Sequence, residues 1–174
     1  ETESLTLNPF ETSKLVEFNC GPNLSYERTL FISANEVIEL ITNYHYRHYW
    51  IDGVDEFLFS ENEVTRLGSE HTCVIKGKHF DFETVSKKGK PGQIVYGEFT
   101  TSPPPVDELY QFYILTPLTA DTCKIEMEVY WKAKSPIKKL LIFLFLRKIF
   151  KKNNLSSLEN LHAFIEKRKV GMPQ

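Results

Sequence analysis

Residues 122–131 alternate without a break, with Cys123, Ile125, Met127, Val129 and Trp131 on one face of an extended chain and Lys124, Glu126 and Glu128 on the other. A strand of this kind belongs to an antiparallel sheet with one buried face, and that face must be covered by something. Downstream, Ser135-Pro136 places an N-cap before a proline at the first helical position, and Ile137, Leu140, Leu141, Leu144 and Phe145 follow at helical spacing. Leu158, Leu161, Phe164 and Ile165 carry the stripe on. This is the one long amphipathic element in the sequence, so it is the expected cover. Asn153-Asn154 and a capping box from Ser156 to Glu159 predict a kink or break within it.

Ahead of that strand, turn residues at 60–62, 68–69, 76–77, 87–92, 102–105 and 119–121 divide 54–131 into about six strands of an antiparallel meander. Further upstream, 26–32 reads as a strand, and Ser33-Ala34-Asn35-Glu36 is a capping box that opens a short helix with Val37, Ile38, Leu40 and Ile41 on its apolar face. The aromatic run 44–50 predicts a second short helix before the turn at Asp52-Gly53. With 174 residues, of which 41% are hydrophobic, the chain supports one core rather than two. The expectation is a single α+β domain over 23–174, with 1–22 as an N-terminal extension or linker that ends at Gly21-Pro22-Asn23.

Cys20, Cys73 and Cys123 are odd in number, far apart and without metal-ligand spacing, which points to a reducing, cytoplasmic setting. No charged start followed by an apolar segment precedes the domain, so no secretory signal is visible. Cys73 and Cys123 lie in apolar strand patterns and are expected to pack as small hydrophobes. There is no GxSxG, P-loop or GxGxxG, hence no expected nucleotide or other cofactor. His45 and His48 are three apart on the second short helix, but no third ligand lies near them in sequence, so no metal is expected. His71 and Cys73, two apart on a strand, point the same way about 7 Å apart, too far for direct proton transfer. The acidic pairs Asp81 with Glu83 and Glu126 with Glu128 fit a solvated strand face opposite Phe80 and Phe82 or Ile125, Met127 and Val129.

Three stretches, 33–50 with Gly53 behind it, LGSEHTC at 67–73 and SLENL at 157–161, together with the order strand, two short helices, meander and long C-terminal helix, resemble the START-related helix-grip superfamily of lipid-transfer and polyketide-cyclase-like proteins. The likeness spans 24–169. It implies a curved sheet of about seven strands gripping the C-terminal helix, with a cavity between them that takes an apolar or amphipathic ligand such as a lipid, sterol or polyketide. Strand parity and the helix stripe nominate Trp50, His71, Cys73, Phe82, Tyr96, Phe112, Met127, Leu141 and Phe145 for its wall. At Phe112 the parity is open, because Gln111 and Tyr113 on the opposite face serve equally well. The alternatives to a binding module are a regulatory or interaction domain with a filled pocket, and a cyclase or hydratase using His71 or Tyr96 as acid or base.

Charge is distributed unevenly. The segment 132–152 holds eight of the 21 Lys and Arg and no acid, leaving 13 basic against 23 acidic residues elsewhere. Its basic residues interleave with aliphatics rather than stacking platforms, so no nucleic acid partner is expected. Within it, 140–146 is apolar all round, far short of the ~20 residues that span a bilayer. Burial against the sheet is the expectation; the alternative is peripheral membrane contact between Lys138 and Lys152.

Overall fold

The computed structural model describes residues 15–59, 67–101 and 105–171. The turns expected at 60–62 and at most of 102–105, and the first 14 residues of the N-terminal extension, lie outside the described residues. Strand β1 (Leu24–Leu30) leads into helix α1 (Ala34–Thr42) and the single turn α2 (Tyr44–Arg47). Strands β2 (Glu56–Leu58), β3 (Glu70–Ile75), β4 (Lys78–Val85), β5 (Ile94–Thr100), β6 (Glu108–Pro117) and β7 (Cys123–Lys132) follow as the expected meander. They form one seven-stranded antiparallel sheet in the order β1-β7-β6-β5-β4-β3-β2, so the first strand closes against the last.

Local chemistry sets several of these boundaries. The capping box at the start of α1 forms on both sides, with the Glu36 amide donating to Ser33 Oγ and the Ser33 amide to the Glu36 carboxylate. Asn43 ends α1 and caps α2, its Oδ1 accepting from the His45 amide at 3.1 Å. Between β3 and β4, Lys76 and Gly77 both have positive φ, 50° and 72°, which is the backbone of a two-residue hairpin whose twist matches the strands it joins.

The C-terminal element is α3 (Pro136–Leu141), a π-helical turn (Ile142–Leu146) and α4 (Arg147–Gly171) in one run. The irregularity falls at 142–146, not at Asn153-Asn154, where α4 is continuous. Those polar residues serve tertiary contacts instead of a cap. Gly53, with φ 84°, lies so close to Asn153 that an added Cβ would sit 2.4 Å from the side-chain nitrogen, and Ser157 Oγ accepts from the Asp52 amide at 2.9 Å.

Leu158, Leu161 and Ile165 of α4 pack with Ile125 and Met127 of β7, Tyr113 of β6, Trp50, and Val37 and Ile41 of α1 to form the main core. The outer face of the sheet is apolar as well. Val85, Tyr110, Phe112, Ile114 and Tyr130 form a cluster there, covered by Val16 and Phe18 of the segment that precedes β1. Phe18 stacks on Tyr130 at 3.9 Å and meets Phe112 edge-on at 5.7 Å, while the Val16 amide donates to the Ser86 carbonyl at 2.8 Å. Gly97 on β5 leaves the room that Phe112 fills, since a Cβ would stand 2.4 Å from its ring. Glu128, read as a solvated strand residue, lies on this face in an ion pair with Lys87 and accepts from Tyr130 Oη at 2.8 Å.

The expected burial of 140–146 is not what the structure has. Ile142 is buried, whereas Leu140, Leu141, Phe143, Leu144 and Phe145 face outward. Ile142 packs on Leu24, Val106, Leu109 and Val129 at one end of the sheet, with Leu146 half-buried against the same cluster, and Phe143, Leu144 and Phe145 project beyond it. A segment apolar on every side can dock through only one residue per turn, and here the sheet is met mainly by the later part of the helix.

Candidate functional site: a buried charged cluster on the inner face

Strand parity turns Tyr96 and Glu98 of β5, His71 and Cys73 of β3, and Phe82 and Thr84 of β4 toward the inner side of the sheet. From the other side, α2 sends Arg47 inward. Its Nε donates to the Ile41 carbonyl at 2.9 Å, one of the carbonyls left free at the end of α1, and its Nη2 donates to Tyr96 Oη at 2.9 Å. Nη1 forms an ion pair with the Glu98 carboxylate. Tyr96 Oη in turn donates to Glu98 Oε1 at 2.9 Å, and Tyr44 Oη lies 3.3 Å from Tyr96 Oη. The guanidinium stands over the Tyr44 ring at 4.5 Å. Arg47 is fully buried and Glu98 is 6% exposed, so this is a charge pair taken out of water, sustained by several hydrogen bonds.

His71 completes the cluster. Its Nε2 is 3.5 Å from Glu98 Oε1, and its ring stacks on Phe82 at 5.4 Å and lies against Tyr44 at 4.5 Å. The contact with Glu98 has the distance of a weak ion pair, yet the imidazole is neutral. Burial pulls its pKa down to about 4, and the Arg47 charge adds to that against the opposing pull of Glu98. Neither ring nitrogen makes a hydrogen bond, although the residue is 3% exposed. Thr84 Oγ1, on the strand position paired with Glu98, is buried and likewise without a hydrogen bond.

The remaining groups are set against proton transfer. For Glu98, burial works to raise the carboxyl, but the Arg47 charge, His71 and the hydrogen bonds from Arg47 and Tyr96 together keep it below the usual range. Burial holds Tyr96 well above the usual phenol value, and it pushes the Cys73 thiol up to about 12. At neutral pH the site therefore contains one guanidinium, one carboxylate, a neutral imidazole and un-ionised phenol and thiol groups. A catalytic acid or base works best with a pKa near the working pH, and none of these groups has one.

The neutral histidine has a measurable consequence. Because its folded pKa is depressed from 6.5 to about 4, the unfolded chain binds the proton more readily. The contribution of His71 to stability is complete above pH 6.5 and is lost as the pH falls toward 4. Urea unfolding at pH 7.5 and pH 5 is expected to differ by roughly 2 kcal/mol from this group, and His71→Phe should flatten that slope.

Of the nominated wall residues, His71, Phe82 and Tyr96 come together in this cluster, with Cys73 beside them on β3. Trp50 and Met127 are fully buried in the main core, where the Trp50 ring meets Tyr113 edge-on at 5.9 Å. Phe112 points to the outer face, and Tyr113 takes the inner position, paired with Tyr96. Leu141 and Phe145 are exposed and form no wall of the inner space. Arg47, Glu98 and Tyr44 were not nominated. A signal for Glu98 was present, since it shares the parity of Tyr96 on β5; Arg47 offered none beyond its place in an aromatic run. Among the described residues no group of His, Cys, Asp and Glu is arranged to hold a metal ion, and no helix is long and apolar enough to cross a membrane.

No family model matches the chain, and no curated protein matches it in sequence. Solved structures do match in fold. Norcoclaurine synthase from Thalictrum flavum, in complex with dopamine and hydroxybenzaldehyde, superposes with a TM-score of 0.62 at 8% identity, over 100% of this chain and 99% of that one. The di-domain ARO/CYC protein BexL gives 0.63 at 16% identity over 82% of this chain, which spans 46% of BexL. A hypothetical protein from Helicobacter pylori gives 0.58 at 12% identity, over 80% of this chain and 85% of that one. Identities this low carry the fold and nothing finer. With its seven-stranded antiparallel sheet, two short helices after β1 and long C-terminal helix, the chain has the helix-grip fold.

Proposed function

We propose that the domain binds a small amphipathic molecule on the inner side of the sheet, with the molecule's polar end at the His71–Glu98–Arg47 cluster and its apolar part against the Phe82 and Tyr44 rings that flank His71. The observation that carries this reading is the set of unpartnered polar atoms around one buried charge pair: His71 Nδ1 and Nε2 and Thr84 Oγ1. Leaving a buried donor or acceptor unmade costs about 1–3 kcal/mol, and a ligand hydroxyl or carbonyl at this point would remove that cost. The Arg47–Glu98 pair would act as the fixed, charged floor against which such a group is oriented. Inward residues nearby, including Phe82 and Tyr44, offer apolar contact. Binding is favoured over cyclase or hydratase chemistry because His71 titrates near 4 and Tyr96 well above 10, both far from a working pH near 7.

The test uses the intact chain. Native mass spectrometry after gentle purification is expected to retain a small bound molecule. Titration with 2-naphthol and with naphthalene separates the polar contact from apolar burial: the hydroxyl should improve affinity by about tenfold in the wild type, the worth of one good hydrogen bond. In His71→Leu that advantage should vanish. No co-purifying mass together with equal affinity for the two probes would overturn the reading.

A further inference from the structure

Thirteen large hydrophobic side chains are exposed among the described residues, and seven of them fall between 137 and 149: Ile137, Leu140, Leu141, Phe143, Leu144, Phe145 and Ile149. Phe143 is 63% exposed and Phe145 62%, values at which an isolated soluble helix gains nothing from an aromatic ring. The segment 132–152, which contains this stretch, holds eight Lys and Arg and no acid. Lys138 is committed to Asp107, but Lys139, Arg147, Lys148, Lys151 and Lys152 form no ion pair among the described residues.

We propose that α3, the π turn and the first turns of α4 form a membrane-docking surface that lies in the interface of an anionic bilayer. Length, shape and charge each argue for that occupant. The apolar stretch is too short to span a hydrocarbon core of about 30 Å, but it suits a helix lying in the plane of the interface. Ile142, with Leu146 and Phe150 half-buried behind it, ties this segment to one end of the sheet, so the exposed side chains on its other faces point away from the core and can enter a bilayer without disturbing it. Lys139 and Arg147 border a cleft of about 290 Å³ floored by Trp131 and Ile142, which sets two cations beside the apolar residues, at the level where acidic headgroups meet acyl chains. A second copy of the chain is a poorer occupant. In a two-fold contact the basic stretch would face itself, and like charges would oppose the apolar gain.

The test is flotation of the intact chain with vesicles at 150 mM salt. Binding is expected to vesicles of 70% phosphatidylcholine and 30% phosphatidylserine, at least about tenfold stronger than to phosphatidylcholine alone. Trp131 reports contact without any substitution, because the chain's other tryptophan, Trp50, is fully buried; its emission should shift to the blue on anionic vesicles. The quadruple variant K139Q/R147Q/K148Q/K151Q should lose the preference for anionic lipid, and F143S/F145S should lose binding to both compositions. All six side chains are exposed, so an unchanged circular dichroism spectrum and unfolding midpoint are expected in each variant. Three results would overturn the proposal: no binding to either vesicle, equal binding to both, or a dimer in sedimentation equilibrium that F143S/F145S dissociates.

Discussion

Glu98→Ala is expected to destabilise the domain by about 3–5 kcal/mol, the cost of leaving a buried guanidinium without its counter-charge. Arg47 has no route to water, being fully buried, and its remaining hydrogen-bond partners, the Ile41 carbonyl and Tyr96 Oη, are uncharged. Tyr96 also loses the acceptor for its own hydroxyl proton. Arg47→Met strands the opposite charge and should cost a similar amount, but the carboxylate has an escape that the guanidinium lacks, because Glu98 can take up a proton. The Arg47→Met penalty should therefore shrink as the pH is lowered, while the Glu98→Ala penalty should not. The double variant removes both charges together, so it is expected to be markedly more stable than the sum of the singles. Urea unfolding of the four proteins at pH 7.5 and pH 5.5 checks all of this. Strict additivity would mean that the two groups do not act as a pair.

The second large effect separates the two halves of the C-terminal helix. Leu161→Ala should cost about 2–5 kcal/mol, because Leu161 is fully buried between α4 and the sheet and its removal leaves a void among rigid neighbours. Leu144→Ala, an identical change made 17 positions earlier on the same continuous helical run, should fall within about 0.5 kcal/mol of the wild type, since Leu144 is 46% exposed. Thermal or urea unfolding of the two variants side by side measures the difference. A comparable loss at both positions would place the 140–146 stretch in the core after all.

Periodicity within an element was enough to predict much of the architecture. The alternation on β7, the stripe formed by Leu158, Leu161 and Ile165, the capping box at Ser33 and the hairpin at Lys76-Gly77 all occur where local pattern and turn chemistry put them. Parity also brought His71, Phe82 and Tyr96 to one side of the sheet. What parity does not reveal is which of two apolar faces is the inner one. Phe112 and Tyr113 are both bulky aromatic residues that can serve in a core, and the outer face is apolar where Val16 and Phe18 fold back over it, a contact with no local signature.

The charged cluster shows the same division. A single acid at an inward position of β5 was visible in the alternation of Tyr96, Glu98 and Thr100, but its partner lies on a one-turn helix before the meander begins. An ion pair between residues so far apart in sequence is a product of chain folding, and it leaves no periodic trace in either segment. For 140–146 the limit is sharper. A helical stretch that is apolar on all sides has no polar face to orient it, so its composition is compatible with deep burial and with full exposure alike. Secondary structure, strand parity and the need for a helical cover follow from local pattern, because propensity, pleat and capping act over a few residues. The pairing of Arg47 with Glu98, the covered outer face and the projection of Phe143 and Phe145 into solvent follow from how the finished elements dock, because docking angle and reach depend on contacts from the whole chain.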